Sequence, residues 1–187
     1  MAIDRRKLLA GLGGFMPATA LAQNATMLPG AAFRFAFDGI EGGKLNLADH
    51  AGKVLLVVNT ASSCGFTPQY ADLQALHERF GSRGLVVIGI PSDDFAQERG
   101  SNKEIVEFCQ GTFGVTFPLA AKQVVRGANA HPFYRWAASE RPADIPTWNF
   151  HKFLIGRSGR IVGAFPARVR PTDTRIISLI EAQLSVS

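Results

Sequence analysis

Hydrophobic positions change their spacing several times along this chain, and each change marks an element. Phe33, Phe35 and Phe37 alternate with Arg34 and Ala36, and Leu45 and Leu47 resume the alternation after Asp38-Gly39 and Gly42-Gly43. A period of two on both sides of glycine turns predicts a β-hairpin. Val54 to Val58 and Leu85 to Ile90 are unbroken apolar runs rich in β-branched residues, the pattern of strands covered on both faces. Between them Tyr70, Leu73, Leu76 and Phe80 share one helical stripe, with Thr67 as the predicted cap, Pro68 at the first position and Gly81 as the stop. Ser101 and Glu104 have capping-box spacing before Ile105, Phe108 and Cys109. Phe117-Pro118-Leu119 reads as extended, and His131-Pro132 opens a helix carrying Phe133, Tyr134 and Trp136. Phe150 to Ile155 and Arg160 to Phe165 flank a Gly-Arg-Ser-Gly turn, a second hairpin, and Thr172 is the predicted cap of a last helix bearing Ile176, Ile177, Leu179, Ile180 and Leu184.

The predicted order is β-β-β-α-β-α-α-β-β-α, with one βαβ crossover and antiparallel additions. It implies an α/β protein with a central mixed sheet flanked by helices and an N-terminal hairpin, the order of an elaborated thioredoxin-like fold. At 187 residues, 47% hydrophobic and 19% charged, the chain has the balance of one globular domain, and no apolar run approaches the roughly 20 residues of a membrane-spanning helix.

The formal charge of +5 would raise nucleic acid as a partner, so its location matters. Residues 1–22 begin with Arg5-Arg6-Lys7, continue through an uncharged, Gly-rich apolar stretch from Leu8, and end in Ala20-Leu21-Ala22. That is the plan of a secretory signal, and the paired arginines before a weakly hydrophobic stretch favour the twin-arginine route over the general one. Removing it takes away Asp4 and the three basic residues, leaving +3 with no basic block, which argues against nucleic-acid binding. The expectation is a periplasmic protein with no stable membrane association after cleavage, a tether over 23–30 and a single domain over 31–187.

Only two cysteines are present, Cys64 and Cys109, too few for a disulfide scaffold or a cysteine-rich zinc site. Cys64 lies in Asn59-Thr60-Ala61-Ser62-Ser63-Cys64-Gly65-Phe66-Thr67-Pro68, after a buried strand and before a helix N-terminus. Unpaired N–H groups and the helix dipole there favour a thiolate, the nucleophilic form. The position three residues on is Thr67, so exchange within a Cys-x-x-Cys motif is excluded. His50, His77, His131 and His151 lack metal-ligand spacing and read as surface or packing residues, so no metal and no cofactor is expected. Arg168 and Arg170 read as solvated arginines, with attraction of an anionic donor as the other reading.

The segment from Gly52 to Tyr70 resembles the peroxidatic signature of the glutathione peroxidase family, and the similarity continues through Gly114-Val115-Thr116-Phe117-Pro118, Asn129-Ala130-His131-Pro132 and Trp148-Asn149-Phe150-His151-Lys152-Phe153-Leu154. The resemblance implies a thioredoxin-like fold and a thiol-dependent peroxidase reducing hydrogen peroxide and organic hydroperoxides in the response to oxidative stress. Cys64 stands at the family's peroxidatic position, and Trp148 and Asn149 match two further members of its catalytic tetrad. Indole and amide N–H groups suit those roles, since both donate to a sulfur anion or peroxide oxygen without competing for its proton. The tetrad glutamine falls on Asp94 in Pro91-Ser92-Asp93-Asp94-Phe95, a substitution that would set a carboxylate beside the thiolate unless Asp94 is protonated and donates a hydrogen bond, or turns to solvent. Gln97 is near enough in sequence to substitute. Cys109 occupies the place of the family's resolving cysteine, 45 residues from Cys64, and would have to leave its helix to form the intramolecular disulfide. A buried core thiol and a permanent bridge are the other readings of Cys109. The short segment from Glu140 to Thr147 resembles monomeric members reduced by a thioredoxin-like protein more than glutathione-using tetramers. A peroxide sensor or redox relay that hands a disulfide to a partner would use the same cysteines.

Overall fold

A computed structural model describes residues 30–98 and 100–186. The leader predicted over 1–22 and the tether up to residue 29 lie outside the described residues. A short hairpin of β1 (Ala36–Asp38) and β2 (Lys44–Asn46) precedes the central strand β3 (Val54–Thr60). There follow α1 (Gln69–Phe80), β4 (Leu85–Pro91), α2 (Asn102–Phe113), α3 (Pro132–Glu140), β5 (Lys152–Ile155), β6 (Ile161–Phe165) and α4 (Thr174–Leu184). The sheet order is β4-β3-β5-β6, with β3 and β4 parallel and the remaining pairs antiparallel. This is the mixed, thioredoxin-like sheet that the predicted order of elements implies.

Alternation along β3 sorts the core. Val54, Leu56 and Val58 face one layer with Leu73, Leu76, Ile105, Ile176 and Ile180 from α1, α2 and α4. Leu55 and Val57 face the other, with Phe37 of the hairpin and Phe133, Tyr134 and Trp136 of α3. Every residue of β3 and β4 is buried, as expected of strands sandwiched by helices. Gly89 lets the extended segment lie close against β4: a Cβ there would come within 2.5 Å of Leu119 Cδ2 and force that side chain to move.

Helix ends explain two departures from the pattern reading. The cap of α4 is Asp173, whose carboxylate accepts from Arg175 N–H, and not its neighbour Thr172. Residues Ala31–Arg34, including Phe33, form a 3-10 turn before the hairpin strand begins. The capping box of α2 is formed as predicted. At its other end Gly114 is left-handed (φ 62°), and Val115 N–H returns to the Cys109 carbonyl at 3.2 Å.

Candidate active site

The loop between β3 and α1 is tied by one hydroxyl. Cys64 N–H donates to Thr67 Oγ1 at 3.0 Å, and the same hydroxyl donates to the Ala61 carbonyl at 2.9 Å. Thr67 N–H returns to the Cys64 carbonyl at 3.0 Å, so helical turns begin at the cysteine itself. Thr67 therefore does not cap α1, which has no side-chain cap; its hydroxyl is committed to the cysteine loop. Cys64 is 7% exposed, and its sulfur accepts the Phe66 N–H at 3.4 Å. Backbone donation of this kind stabilises sulfur when it carries negative charge.

The segment after β4 leans on this loop. Ser63 N–H donates to the Gln97 carbonyl at 2.9 Å, and Ser62 N–H donates to Glu98 Oε1 at 3.1 Å. The Gln97 side chain then reaches Asn149, whose Nδ2 donates to Gln97 Oε1 at 3.0 Å. One residue thus touches both the neighbour of Cys64 and the buried Asn149. The structure does not bring Asp94 there. Its Oδ2 accepts from Val125 N–H at 2.7 Å and Arg126 N–H at 3.1 Å, while the Arg126 guanidinium donates to the Asp94 carbonyl at 2.8 Å. The carboxylate is spent on a neighbouring loop, neither turned to open solvent nor set against the cysteine, and the amide at the site is that of Gln97. A left-handed Ala96 (φ 53°) lies between the two and redirects the chain.

Trp148 is 41% exposed and packs on Phe95 with ring centroids 5.4 Å apart. Its carbonyl accepts from Asn59 Nδ2 at 3.1 Å. Asn149 is fully buried, and its Oδ1 has no partner.

Cys109 is fully buried in α2, in the same apolar layer as Cys64, and both thiols are free. Burial pushes the Cys109 thiol up to about 11. The Tyr70 hydroxyl interacts with it and with Thr60, without close hydrogen-bond geometry to either. A thiol held this way is a poor nucleophile until it leaves the core.

Lys152, in the sequence only one member of the Trp148–Leu154 motif, is fully buried on β5, with Nζ donating to the Val169 carbonyl at 2.6 Å and the Ala167 carbonyl at 3.4 Å. Burial pushes its ammonium down to about 7, against a smaller opposing pull from Asp72. Gln69 Nε2 also donates to the Ala167 carbonyl, at 2.7 Å, and Arg170 makes a bidentate pair with Asp72 at 2.9 and 2.8 Å. The 167–170 segment is thereby fastened beside the cysteine loop, bounding a cleft of about 410 Å³ with Gly65, Phe66 and Arg168. The signal that could have found Lys152 is a lone charge inside the apolar run from Phe150 to Ile155.

His131 caps α3 through Nδ1, and His151 is buried and held down to about 4 by that burial. No group of His, Cys, Asp and Glu side chains suited to a metal ion occurs among the described residues.

The glutathione peroxidase family profile matches residues 32–138. The chain is 44% identical over 151 residues to the hydroperoxy fatty acid reductase of Synechocystis sp., covering 75% of this chain and 89% of that protein. It is 42% identical over 135 residues to the glutathione peroxidase-like peroxiredoxin of Schizosaccharomyces pombe, covering 70% and 85%. Among solved structures, the crystal structure of Trgpx in its apo form superposes with a TM-score of 0.66 at 33% identity, covering 81% of this chain and 94% of that one.

Proposed function

The chain belongs to the glutathione peroxidase family and is a peroxidase, and we propose that Cys64 is its peroxidatic thiol, with Cys109 resolving the oxidised form. The Cys64 thiolate attacks the terminal oxygen of a hydroperoxide. The O–O bond breaks, Cys64 becomes a sulfenic acid, and the alkoxide or hydroxide takes up a proton and leaves as alcohol or water. Phe66 N–H supports the sulfur, and the Asn149–Gln97 amide pair with the Trp148 indole supplies the donors for the departing oxygen.

Cys109 then attacks the Cys64 sulfur, forming the disulfide and releasing water, and a thiol reductant returns two electrons and two protons. For this Cys109 must leave the core. It sits near the end of α2, two residues before the helix-weakening Gly111, so local unwinding of the last turns is the route that costs least. The reductant is a thioredoxin-like protein in preference to glutathione, a reading that the short segment from Glu140 to Thr147 supports, and the substrates extend to hydroperoxy fatty acids, as a relative's name suggests. The leader-like residues 1–22 support export to the periplasm, and the short segment from Glu140 to Thr147 supports a monomer.

The observation that carries this reading is the double contact of Gln97, which joins the Cys64 loop to Asn149. Steady-state peroxide consumption tests it, with a thioredoxin-like donor, glutathione or dithiothreitol as reductant. The expected result is sustained turnover with the dithiol donors and slow turnover with glutathione. A single turnover ending in a mixed disulfide with the donor would instead favour a relay.

A further inference from the structure

Asn59 is the penultimate residue of β3, wholly buried, and all of its hydrogen-bonding groups go to one short segment. Its backbone N–H donates to the His151 carbonyl at 3.3 Å, and its carbonyl accepts the Phe150 N–H at 2.6 Å. Its side chain adds two more bonds: Nδ2 donates to the Trp148 carbonyl at 3.1 Å, and Oδ1 accepts the His151 N–H at 3.1 Å. The regular β3–β5 register stops one residue earlier, at Val58 opposite Lys152. Beyond it Phe150 adopts φ 62°, a left-handed conformation that a bulky residue holds only where its surroundings over-determine it. The Asn59 amide does this, replacing ladder bonds where the chain turns away.

The segment so held presents Trp148 and Asn149, and the strand holding it runs on into the Cys64 loop five residues later. We infer that Asn59 is a positioning residue for the peroxidase reaction, one buried amide that fixes Trp148 and Asn149 relative to Cys64. It touches no reacting atom. Its effect comes through the Trp148 carbonyl and His151 N–H, which bracket the backbone of Asn149. Misplacement of about 1 Å in donors of this kind costs on the order of a hundredfold in rate. The inference rests on Cys64 being the peroxidatic thiol.

Asn59→Asp supplies a test that a general packing role would not pass. A protonated aspartic acid offers one donor and one acceptor, as the amide does; an ionised one still accepts the His151 N–H but sets its other oxygen, an acceptor, against the Trp148 carbonyl oxygen. Single-turnover oxidation of Cys64 by hydrogen peroxide is measured from pH 4.5 to 8 in wild type and variant, beside alkylation of Cys64 by iodoacetamide. At pH 7.5 the variant should lose at least tenfold in peroxide rate while alkylation stays within twofold of wild type. The ratio of variant to wild-type peroxide rate should recover as the pH falls and the carboxyl protonates. Asn59→Ser, whose hydroxyl is too short to span both partners, covers the case in which Asn59→Asp fails to fold, and should show the same split at pH 7.5. Peroxide rates within twofold of wild type throughout, or equal losses of peroxide and alkylation rates, would overturn the inference. If wild type itself does not react with peroxide at Cys64, the parent reading fails instead.

Discussion

Lys152 offers a prediction whose size follows from its surroundings. The ammonium is fully buried, donates to two backbone carbonyls and has no carboxylate bonded to it, since Asp72 is taken by Arg170. Burial lowers it from the ordinary 10.5 to about 7, whereas in the unfolded chain it keeps its proton to about pH 10. Between pH 7 and 10.5 the unfolded chain therefore binds more protons than the folded one, so stability rises with pH across that window and is lost as the pH falls toward 7. Complete traverse of the window corresponds to about 5 kcal/mol, and the step from pH 7 to 9 to about 2 kcal/mol. For a domain of this size that is a rise of roughly 4–8 °C in melting temperature. Lys152→Met removes the titration and keeps the side-chain length. The assay is the melting temperature of the reduced proteins at pH 7, 8 and 9, taken as the difference between wild type and Lys152→Met. Other groups, including Cys109 with its raised thiol, titrate alike in both proteins and cancel. The difference should move in favour of wild type by the stated amount as the pH rises. Parallel curves across the range would refute the reasoning and show Lys152 to be proton-bound and compensated in the fold.

Three further outcomes are expected. Gly111→Ala, where an added Cβ meets nothing within 4 Å, should stabilise α2 by about 0.5–1 kcal/mol and slow disulfide formation after peroxide treatment by about two- to fivefold, read by quenched intact mass. Thr67→Val strips the partner from the Cys64 N–H and the Ala61 carbonyl; it should cost about 1–3 kcal/mol in denaturant unfolding and slow Cys64 oxidation about tenfold. Gln97→Ala should reduce the peroxide rate constant about 10- to 100-fold, while Asp94→Ala should cost about 1–2 kcal/mol of stability and leave that rate within about threefold, measured by stopped-flow in parallel.

Repeats of two and of 3.6 carried most of the fold. The buried runs of β3 and β4 could face nothing but protein on both sides, and the stripe from Tyr70 to Phe80 had to lie against them. Helix ends were less legible because two neighbours of suitable chemistry compete. Thr172 and Asp173 both suit a cap, and Thr67 precedes a proline as a cap would, yet its hydroxyl has partners three residues before it and at Ala61. The candidate site was legible as residue types and not as partnerships. Cys64, Trp148 and Asn149 stand in recognisable surroundings. The choice between Asp94 and Gln97 depended on the left-handed turn at Ala96, which nothing in the residue types announces. Lys152 is a charged residue within an apolar run and Asn59 a polar one directly after another, features the sequence does display. Their partners lie 89 and 92 residues away for Asn59 and 15 and 17 for Lys152, at positions that only the assembled sheet brings close.

The central claim is that peroxide is reduced at Cys64 and the product resolved by Cys109. Intact mass after one equivalent of hydrogen peroxide, followed in wild type, Cys64→Ser and Cys109→Ser, tests it directly. Wild type should lose two hydrogens, Cys109→Ser should gain one oxygen, and Cys64→Ser should neither change mass nor consume peroxide. Peroxide consumption by Cys64→Ser, or a lasting sulfenic acid in wild type, would contradict the account.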